Sequence, residues 1–522
     1  MAETLRELVL DARHHGDRTA LRAGGAERDY AELVDRAVRL AQVMLAAGLR
    51  PGDRVAAMVE DGLRSLEPHL AAAIAGLVLV PVNARFQSDE LDHVLRDCEA
   101  SALVHTDGVA AVVAGSAAAE ELALRLSTGG VDADDTSEAY ERLLADASPV
   151  VPDVVVTPDD LAMIGYTSGT TGHPKGAMMP HRSGLAAVRS NLVAFRIVPH
   201  GACAFSGSVS FTALLWAFIY PHLAVGASID LLQPRLDVDR WFTVMQERRS
   251  TFTFVPTPLM DAFVDEAVRR PEAIASLRAV CHSASPATAA QRRAMVGVLG
   301  DRYLESYGMT ESLAAMAATT VADISAGLAD DVHATIGRPI PPARITIVDA
   351  DGAELPPGSD QVGELVLSGP SLFSGYWRRP AATAEALQED GFHSGDLGHV
   401  DAAGYVYVDG RLTDLVITGG MNVYPAEVER VLSAHPDIED VAVVGRPHAR
   451  WGEAVCAVVV RRPGTGLSEA DVTAAAAGLA GYKRPSSVLF LDELPRNANL
   501  KVQKRVLREQ LAEIDQRSSK IS

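Results

Sequence analysis

The sequence predicts an α/β fold. It has a large amino-terminal domain of parallel α/β subdomains with a small β-barrel-like subdomain, then a separate α+β carboxyl-terminal domain. Three observations carry this. Strand and helix patterns alternate from about residue 30 to about residue 300, the signature of parallel sheet with crossover helices. Short β-rich runs split by Gly and Pro take over after about residue 335. The charge balance then changes at Arg411: residues 1–410 carry −22, whereas 15 Lys/Arg and 14 Asp/Glu from Arg411 onward leave +1.

The elements follow in order. Residues 30–49, YAELVDRAVRLAQVMLAAGL, hold apolar residues at helical spacing and end at Gly48. Pro51-Gly52-Asp53 turns into the strand RVAAMV, and a helix and the strand LVLVPVN follow. Further strands read as ALVHT, LAMIGY, SIDLL, FTFVP and RAVCHS. The Ala-rich, acidic stretch 108–150 reads as helix and surface loop. RITIVD, GELVLSG and GYVYVDG supply the antiparallel, barrel-like part. Beyond Arg411 the pattern is a hairpin, the helix PAEVERVLSAH, the strands VAVVGR and EAVCAVVVRR, a helix, and a terminal helix from Lys501. The domains are thus 1–410 and 411–522, with a hinge near 411–414.

With 522 residues, 48% hydrophobic and 22% charged, the chain has the balance of an ordinary globular protein. A net charge of −21 argues against a general nucleic-acid or anionic-membrane binder, which needs positive charge. The longest apolar run, Leu70–Val82, is broken by Pro81 and is too short to span a bilayer. The start is charged and lacks an apolar signal core, and SSKIS at the other end matches no peroxisomal or prenylation signal. Cys98, Cys203, Cys281 and Cys456 are far apart, without metal spacing. A reduced, cytoplasmic setting is expected.

Only five of the 47 basic residues are Lys: 175, 483, 501, 504 and 520. In a chain that writes Arg almost everywhere, a retained compact ammonium invites a functional reading. Lys175 closes the run Thr167-Ser168-Gly169-Thr170-Thr171-Gly172-His-Pro-Lys175, which follows a predicted strand. Glycines allow close backbone approach, and successive N–H groups and hydroxyls can form an anion nest for a polyphosphate. It lacks the order of the common P-loop. By itself such a run also fits a plain surface loop.

The order of these nine residues resembles the signature loop of the adenylate-forming superfamily, which includes acyl-CoA synthetases, adenylation domains and luciferases. Further motifs follow in order and cover nearly the whole chain. His282-Ser283-Ala284-Ser285-Pro286 resembles the family's small-residue adenine wall. Ser306-Tyr307-Gly308-Met309-Thr310-Glu311 resembles its adenine and metal motif. The resemblance implies that Tyr307 stacks on the base, Thr310 bonds a phosphate and Glu311 ligates Mg²⁺, as a hard oxygen donor can. Gly391-Phe-His-Ser-Gly-Asp396 and Gly410-Arg411 imply a ribose-binding carboxylate and a nucleotide-binding Arg. Lys501, near the end, falls on the catalytic lysine.

Gly419-Gly420-Met-Asn-Val-Tyr-Pro is similar to the acyl-CoA synthetase form, in which paired glycines border the thiol channel. The resemblance therefore implies an ATP-dependent carboxylic acid–CoA ligase with ATP, Mg²⁺ and coenzyme A. The acid would be activated as acyl-AMP, and a mobile carboxyl-terminal domain would turn about Thr413 before thioester formation. Arg446, Arg450, Trp451, Lys483 and Arg484 are the candidates for the CoA nucleotide. Each also reads as an ordinary surface residue.

Three positions depart from the family pattern. Phe211 takes the place of a His, Thr413 stands at a hinge that often holds Asp or Lys, and Leu500 precedes Lys501 where Gly is frequent. Phe211, Ala213, Leu214 and Met309 suggest an apolar acid pocket, so a hydrophobic monocarboxylate is favoured: fatty, aryl or bulky alicyclic. The segment SFTALLWAFIYPHLAVGASIDLL is similar to actinobacterial ligases for polycyclic, terpenoid acids. Trp216 in that segment reads as core. The alternatives are transfer to a carrier protein or partner enzyme, a luciferase-like oxygenase, and a nucleotide sensor without catalysis. A homodimer is allowed.

Overall fold

The computed structural model describes residues 2–131, 137–167, 174–233, 236–283, 285, 287–313, 315–320, 323, 334–359, 361–448, 450–496 and 502–519, with backbone alone for 515–519. Among these, the strands gather into four sheets. The first has parallel strands Leu124–Ser127, Ala100–His105, Arg54–Met58, Val78–Pro81 and Leu161–Thr167, in that spatial order, and an antiparallel edge at Lys175–Pro180. The second is parallel through Tyr303–Gly308, Ala279–His282, Phe252–Phe254, Ala202–Phe205, Ser228–Leu231 and Thr19–Ala23, with antiparallel strands at both edges. The predicted strands all fall on these elements. Leu124–Ser127, inside the stretch expected to be helix and loop, was not legible: LRLS is too short and too polar to signal a strand.

Helix Glu67–Ala75 is buried at every residue. A helix apolar nearly all round must lie inside the molecule. It belongs to one continuous core with helices Tyr30–Ala46 and His181–Ala194 and with residues from both large sheets. Its one charge, Glu67, is fully buried. That carboxylate is held by Arg28, by Arg36 Nε at 2.7 Å and by the Tyr140 hydroxyl at 2.6 Å. A buried carboxylate is tolerable only when its lone pairs are filled in this way.

The third sheet is antiparallel: Arg344–Val348, Gly363–Ser368, Gly391–Val400 and Val406–Arg411 form its body. The fourth runs, in spatial order, through Met421–Val423, Val416–Thr418, Gly452–Arg461 and Ile438–His448. Its first two strands turn through Gly419 and Gly420, at φ +57° and +81°. A two-residue hairpin that needs both central residues at positive φ selects such a pair. The parallel strand Ser487–Leu491 completes this sheet and was not predicted. The terminal helix starts at Lys504, not at Lys501 as expected: Arg496 and Val502 pair as an extended bridge just before it. No helix among the described residues is long and apolar enough to cross a membrane.

Trp216 is fully buried, as its sequence setting suggests, and its ring occupies the space above Gly184 in helix His181–Ala194. A Cβ at Gly184 would lie 2.3 Å from that ring. Gly184→Ala gains helix propensity of about 1 kcal/mol at most, whereas overpacking a rigid ring costs about 1–3 kcal/mol. The variant should be the less stable, read as a lower midpoint of the first unfolding transition in urea.

Candidate functional site

The signature loop lies between two paired strands. Thr167 ends one, Lys175 begins the next, and the two residues are opposite each other. Ser168, Gly169, Thr170, Thr171 and Gly172 lie outside the described residues, as do Ala284, Leu500 and Lys501. The Lys175 ammonium sits 5.2 Å from the centre of the Tyr376 ring, within cation–π range. The Tyr376 hydroxyl donates to Glu311 Oε1 at 2.9 Å. Burial and the neighbouring Glu311 push that phenol well above its usual range, so it remains a donor. Glu311 is buried, and its backbone carbonyl accepts from the Phe373 N–H at 2.8 Å. Thr310 and Thr212 both pack over Gly165, in the strand that leads into the loop.

A second cluster adjoins this one in the chain. The Asp396 carboxylate is buried. It accepts from the Tyr307 hydroxyl at 2.5 Å and pairs with Arg411 Nε at 2.5 Å. Asp396 and Arg411 face each other across antiparallel strands, which fixes their spacing. Burial, then the Asp396 charge, drives the Tyr307 phenol far above its usual value. Ser394 and Gly395 precede it on the same strand, and the Ser394 hydroxyl accepts from the Asp396 N–H at 3.1 Å.

Ser283 and Ser285 stand on a relay of polar contacts that the sequence did not announce. Ser283 donates to the Ser306 carbonyl at 2.9 Å. The Ser285 hydroxyl lies 2.6 Å from Thr257 Oγ1, which lies 2.8 Å from His282 Nε2. His282 Nδ1 is 3.0 Å from Glu305, and Arg292 reaches the same carboxylate at 3.2 Å. Burial alone would raise the Glu305 carboxyl, but His282 and Arg292 outweigh it and hold it below the usual carboxylate range. These residues sit on separate elements, and no spacing links them in the sequence. Tyr376 was missed for the same reason.

Phe211, Ala213 and Ala217 are the partly exposed positions among the buried neighbours Thr212, Leu214, Leu215, Trp216 and Phe218. Residues Leu215–Ile219 form a π-helical turn, a feature concentrated at functional sites. Met309 is partly buried and, like Phe211 and Ala217, packs against the main apolar core. Leu214 turns inward, toward Gly207 and Phe205. Ala217 is an addition that the residue pattern alone did not single out.

In the carboxyl-terminal unit, the Gly419 N–H donates to the Trp451 carbonyl at 2.8 Å, and Gly420 is exposed. Trp451 is 42% exposed and stacks on His448 at 4.4 Å. Arg446 lies on the strand before it, and Arg450 is exposed. Lys483 is held by Glu427 at 2.7 Å, and Arg484 donates to the Leu479 and Ala477 carbonyls. Thr413 lies in the turn Leu412–Asp414. From the terminal helix, Arg508 donates to its carbonyl at 3.3 Å and pairs with Asp414 at 2.8 Å.

Two family descriptions match the chain: AMP-binding enzyme over residues 9–377, and AMP-binding enzyme C-terminal domain over 427–501. A feruloyl-CoA synthase from an Amycolatopsis species is 37% identical, covering 95% of this chain and 96% of that protein. The 3-[(3aS,4S,7aS)-7a-methyl-1,5-dioxo-octahydro-1H-inden-4-yl]propanoyl:CoA ligase of Mycobacterium tuberculosis is 33% identical, covering 94% and 96%. Among solved structures, ATP-bound MatB from Rhodopseudomonas palustris superposes with a TM-score of 0.88 at 34% identity, covering 98% of this chain and all of that one.

His393, three residues before Asp396, faces Glu364 at 2.9 Å and Asp390 at 3.2 Å, and Glu364 also accepts the Gly395 N–H. Burial lowers the affinity of the imidazole for a proton, but Glu364 and Asp390 outweigh it, so its value in the folded chain is raised. A raised value stabilises fully below about pH 6.5 and is lost as pH rises through the folded value. The thermal midpoint should therefore fall between pH 6 and pH 8 more steeply in the native protein than in His393→Gln, as scanning calorimetry would read.

Proposed function

The chain belongs to the AMP-binding enzyme family, and from that premise we propose how its residues divide the work of an AMP-forming acid–CoA ligase and which acids it takes. It is an ATP-dependent ligase that activates a carboxylic acid as acyl-AMP and forms the CoA thioester. A carboxylate is a poor acyl donor because its leaving group would be oxide. In the first step its oxygen attacks the α-phosphorus of ATP, and pyrophosphate leaves. In the second the CoA thiol attacks the acyl carbonyl, its proton is lost, and AMP leaves. Two anions must meet in the first step, so catalysis consists of positioning and charge neutralisation.

The observation that carries the assignment is the convergence of Lys175, Tyr376 and Glu311 in one contact chain, with Tyr307, Asp396 and Arg411 in another. Both draw on the motif Ser306–Glu311. In this reading the 167–175 loop binds the β- and γ-phosphates, Asp396 accepts from the ribose hydroxyls, and Tyr307 lies against the base. The Ser283–Ser285 wall, propped by Thr257, His282 and Glu305, bounds the other side of the base. Lys501 bridges the acid carboxylate and the α-phosphate. Glu311 would hold Mg²⁺, which supplies charge neutralisation at the phosphates when bound. Among the described residues no group of three or more His, Cys, Asp or Glu could hold a metal, so phosphate oxygens and water would complete its shell.

We place the boundary between the units at Arg411, where one antiparallel sheet ends, with Thr413 as pivot and Arg508 bracing it. Gly419, Gly420 and Trp451 border the thiol path. The acid is a hydrophobic monocarboxylate carrying a ring system. Support comes from small Ala213 and Ala217 beside Phe211 and Met309, and from relatives named for an aryl and for a bicyclic acid. Those two relatives are CoA ligases by name, and the Val423-Tyr424-Pro425 run agrees with them. Transfer to a carrier protein is not favoured.

Exchange of labelled pyrophosphate into ATP, run across fatty, aryl and bicyclic acids, tests the reading. Ring-bearing acids should support the fastest exchange, and exchange with none of them would sink the proposal. Lys501→Ala should lower exchange at least about 100-fold, the scale of removing one preorganised charge from a reacting centre, while ATP still binds. Ala213→Trp should abolish exchange with ring acids and spare short-chain ones; an unchanged acid profile would remove Ala213 from the pocket.

A further inference from the structure

Asp61 is a carboxylate with no role in the chemistry above, yet it is buried at 4% exposure. It lies just past the carboxyl end of strand Arg54–Met58 in the first large sheet. Its Oδ1 accepts the Val209 N–H at 2.8 Å. Val209 is fully buried and lies past the carboxyl end of strand Ala202–Phe205 in the second large sheet. The contact therefore ties the two sheets at the ends of their strands, where α/β sheets place their ligands. Burial pushes the Asp61 carboxyl up to about 6, against the bond from the Val209 N–H.

The segment it holds leads straight to the acid end of the site. Ser206 at its base is anchored through its hydroxyl to the Phe254 carbonyl, and its own carbonyl accepts from Gln233 Nε2 at 3.0 Å. At the far end the Ser208 carbonyl accepts the Phe211 N–H at 3.1 Å. Phe211 then opens the short helix Thr212–Leu214, and the Thr212 methyl packs over Gly165 beside Thr310. Between base and end, the grip on the buried Val209 amide comes from Asp61. An apolar residue at 61 would leave that N–H without its acceptor, a cost that backbone donors avoid. Keeping an acid out of water is itself unfavourable, so the position is spent on something that packing alone does not supply.

We propose that Asp61 is a positioning residue for the acid: by gripping Val209 it sets the 206–211 segment, and through it the angle at which Phe211 and Ala213 face the incoming carboxylate. The inference rests on the assignment of Phe211 and Ala213 to the acid pocket. Its signature is a split between substrates. Asp61 serves the acid end and touches none of the nucleotide-binding groups, so its loss should fall on the KM for the acid and leave the KM for ATP alone.

The test is pyrophosphate exchange with ferulate, or with the fastest acid of the panel if ferulate is silent. Asp61→Ala should raise the KM for the acid about tenfold or more while the KM for ATP stays within about twofold. Asp61→Asn keeps an oxygen for the Val209 N–H and should bring the acid KM back to within about threefold of the native value. Should Asp61→Ala fail to fold, Asp61→Ser decides, its hydroxyl oxygen sitting one bond short of the Val209 N–H, with an expected rise of about threefold or more in the acid KM alone. An acid KM that does not move, acid and ATP constants that rise together, or an Asn variant as impaired as the Ala variant would each overturn the inference. A native protein that exchanges with no acid would overturn the ligase reading instead, so the two failures are told apart.

Discussion

The Asp396 carboxylate joins three parts of the molecule. Tyr307 comes to it from the end of a strand in the second large sheet, and Asp396 itself lies on a strand of the antiparallel barrel-like sheet. Arg411 is the last residue of that sheet before the carboxyl-terminal unit begins. One buried anion thus holds a phenol and a guanidinium within hydrogen-bond reach. The arrangement is stable because each oxygen has a donor and the net local charge is near zero. It also fixes the spacing of the residues that a nucleoside would meet.

The same economy of buried polar groups recurs around the site. Glu305 ties His282 and Arg292, and through Thr257 reaches the wall residue Ser285. Glu67 ties Arg28, Arg36 and Tyr140 under the central helix. Asp61 ties two sheets through one amide. Each is a carboxylate with donors supplied by elements distant in sequence. In a low-dielectric interior such a cluster is costly to leave half-satisfied, which makes each a fixed point rather than a pliable contact. The residues facing the cleft can then be small or flexible, because their backbone is held from behind.

The carboxyl-terminal unit is built differently. Its hairpin at Gly419–Gly420, the stacked pair His448–Trp451 and several large apolar side chains, Leu412, Ile417, Met421 and Tyr482, lie at the surface. Lys483 and Arg484 are already engaged, by Glu427 and by carbonyls. The Arg508 contact with the Thr413 carbonyl ties the terminal helix to the turn Leu412–Asp414, where the sequence has an uncharged residue.

Much was legible from residue order alone. Hydrophobic periodicity pointed to the parallel strands and to the helix Tyr30–Ala46, because period is a local property of a chain. Motif order pointed to the family, because the motifs are contiguous runs of residues. The strand Leu124–Ser127 and the start of the last helix at Lys504 were not legible, since neighbours in space set them. Nor were Tyr376, His282, Glu305, Ala217 and Asp61. A hydrogen bond between Asp61 and Val209, or between Tyr376 and Glu311, depends on distance in three dimensions and leaves no spacing in one. Only the tertiary structure could decide which acids, phenols and amides are brought out of water together, because desolvation is a property of the packed molecule.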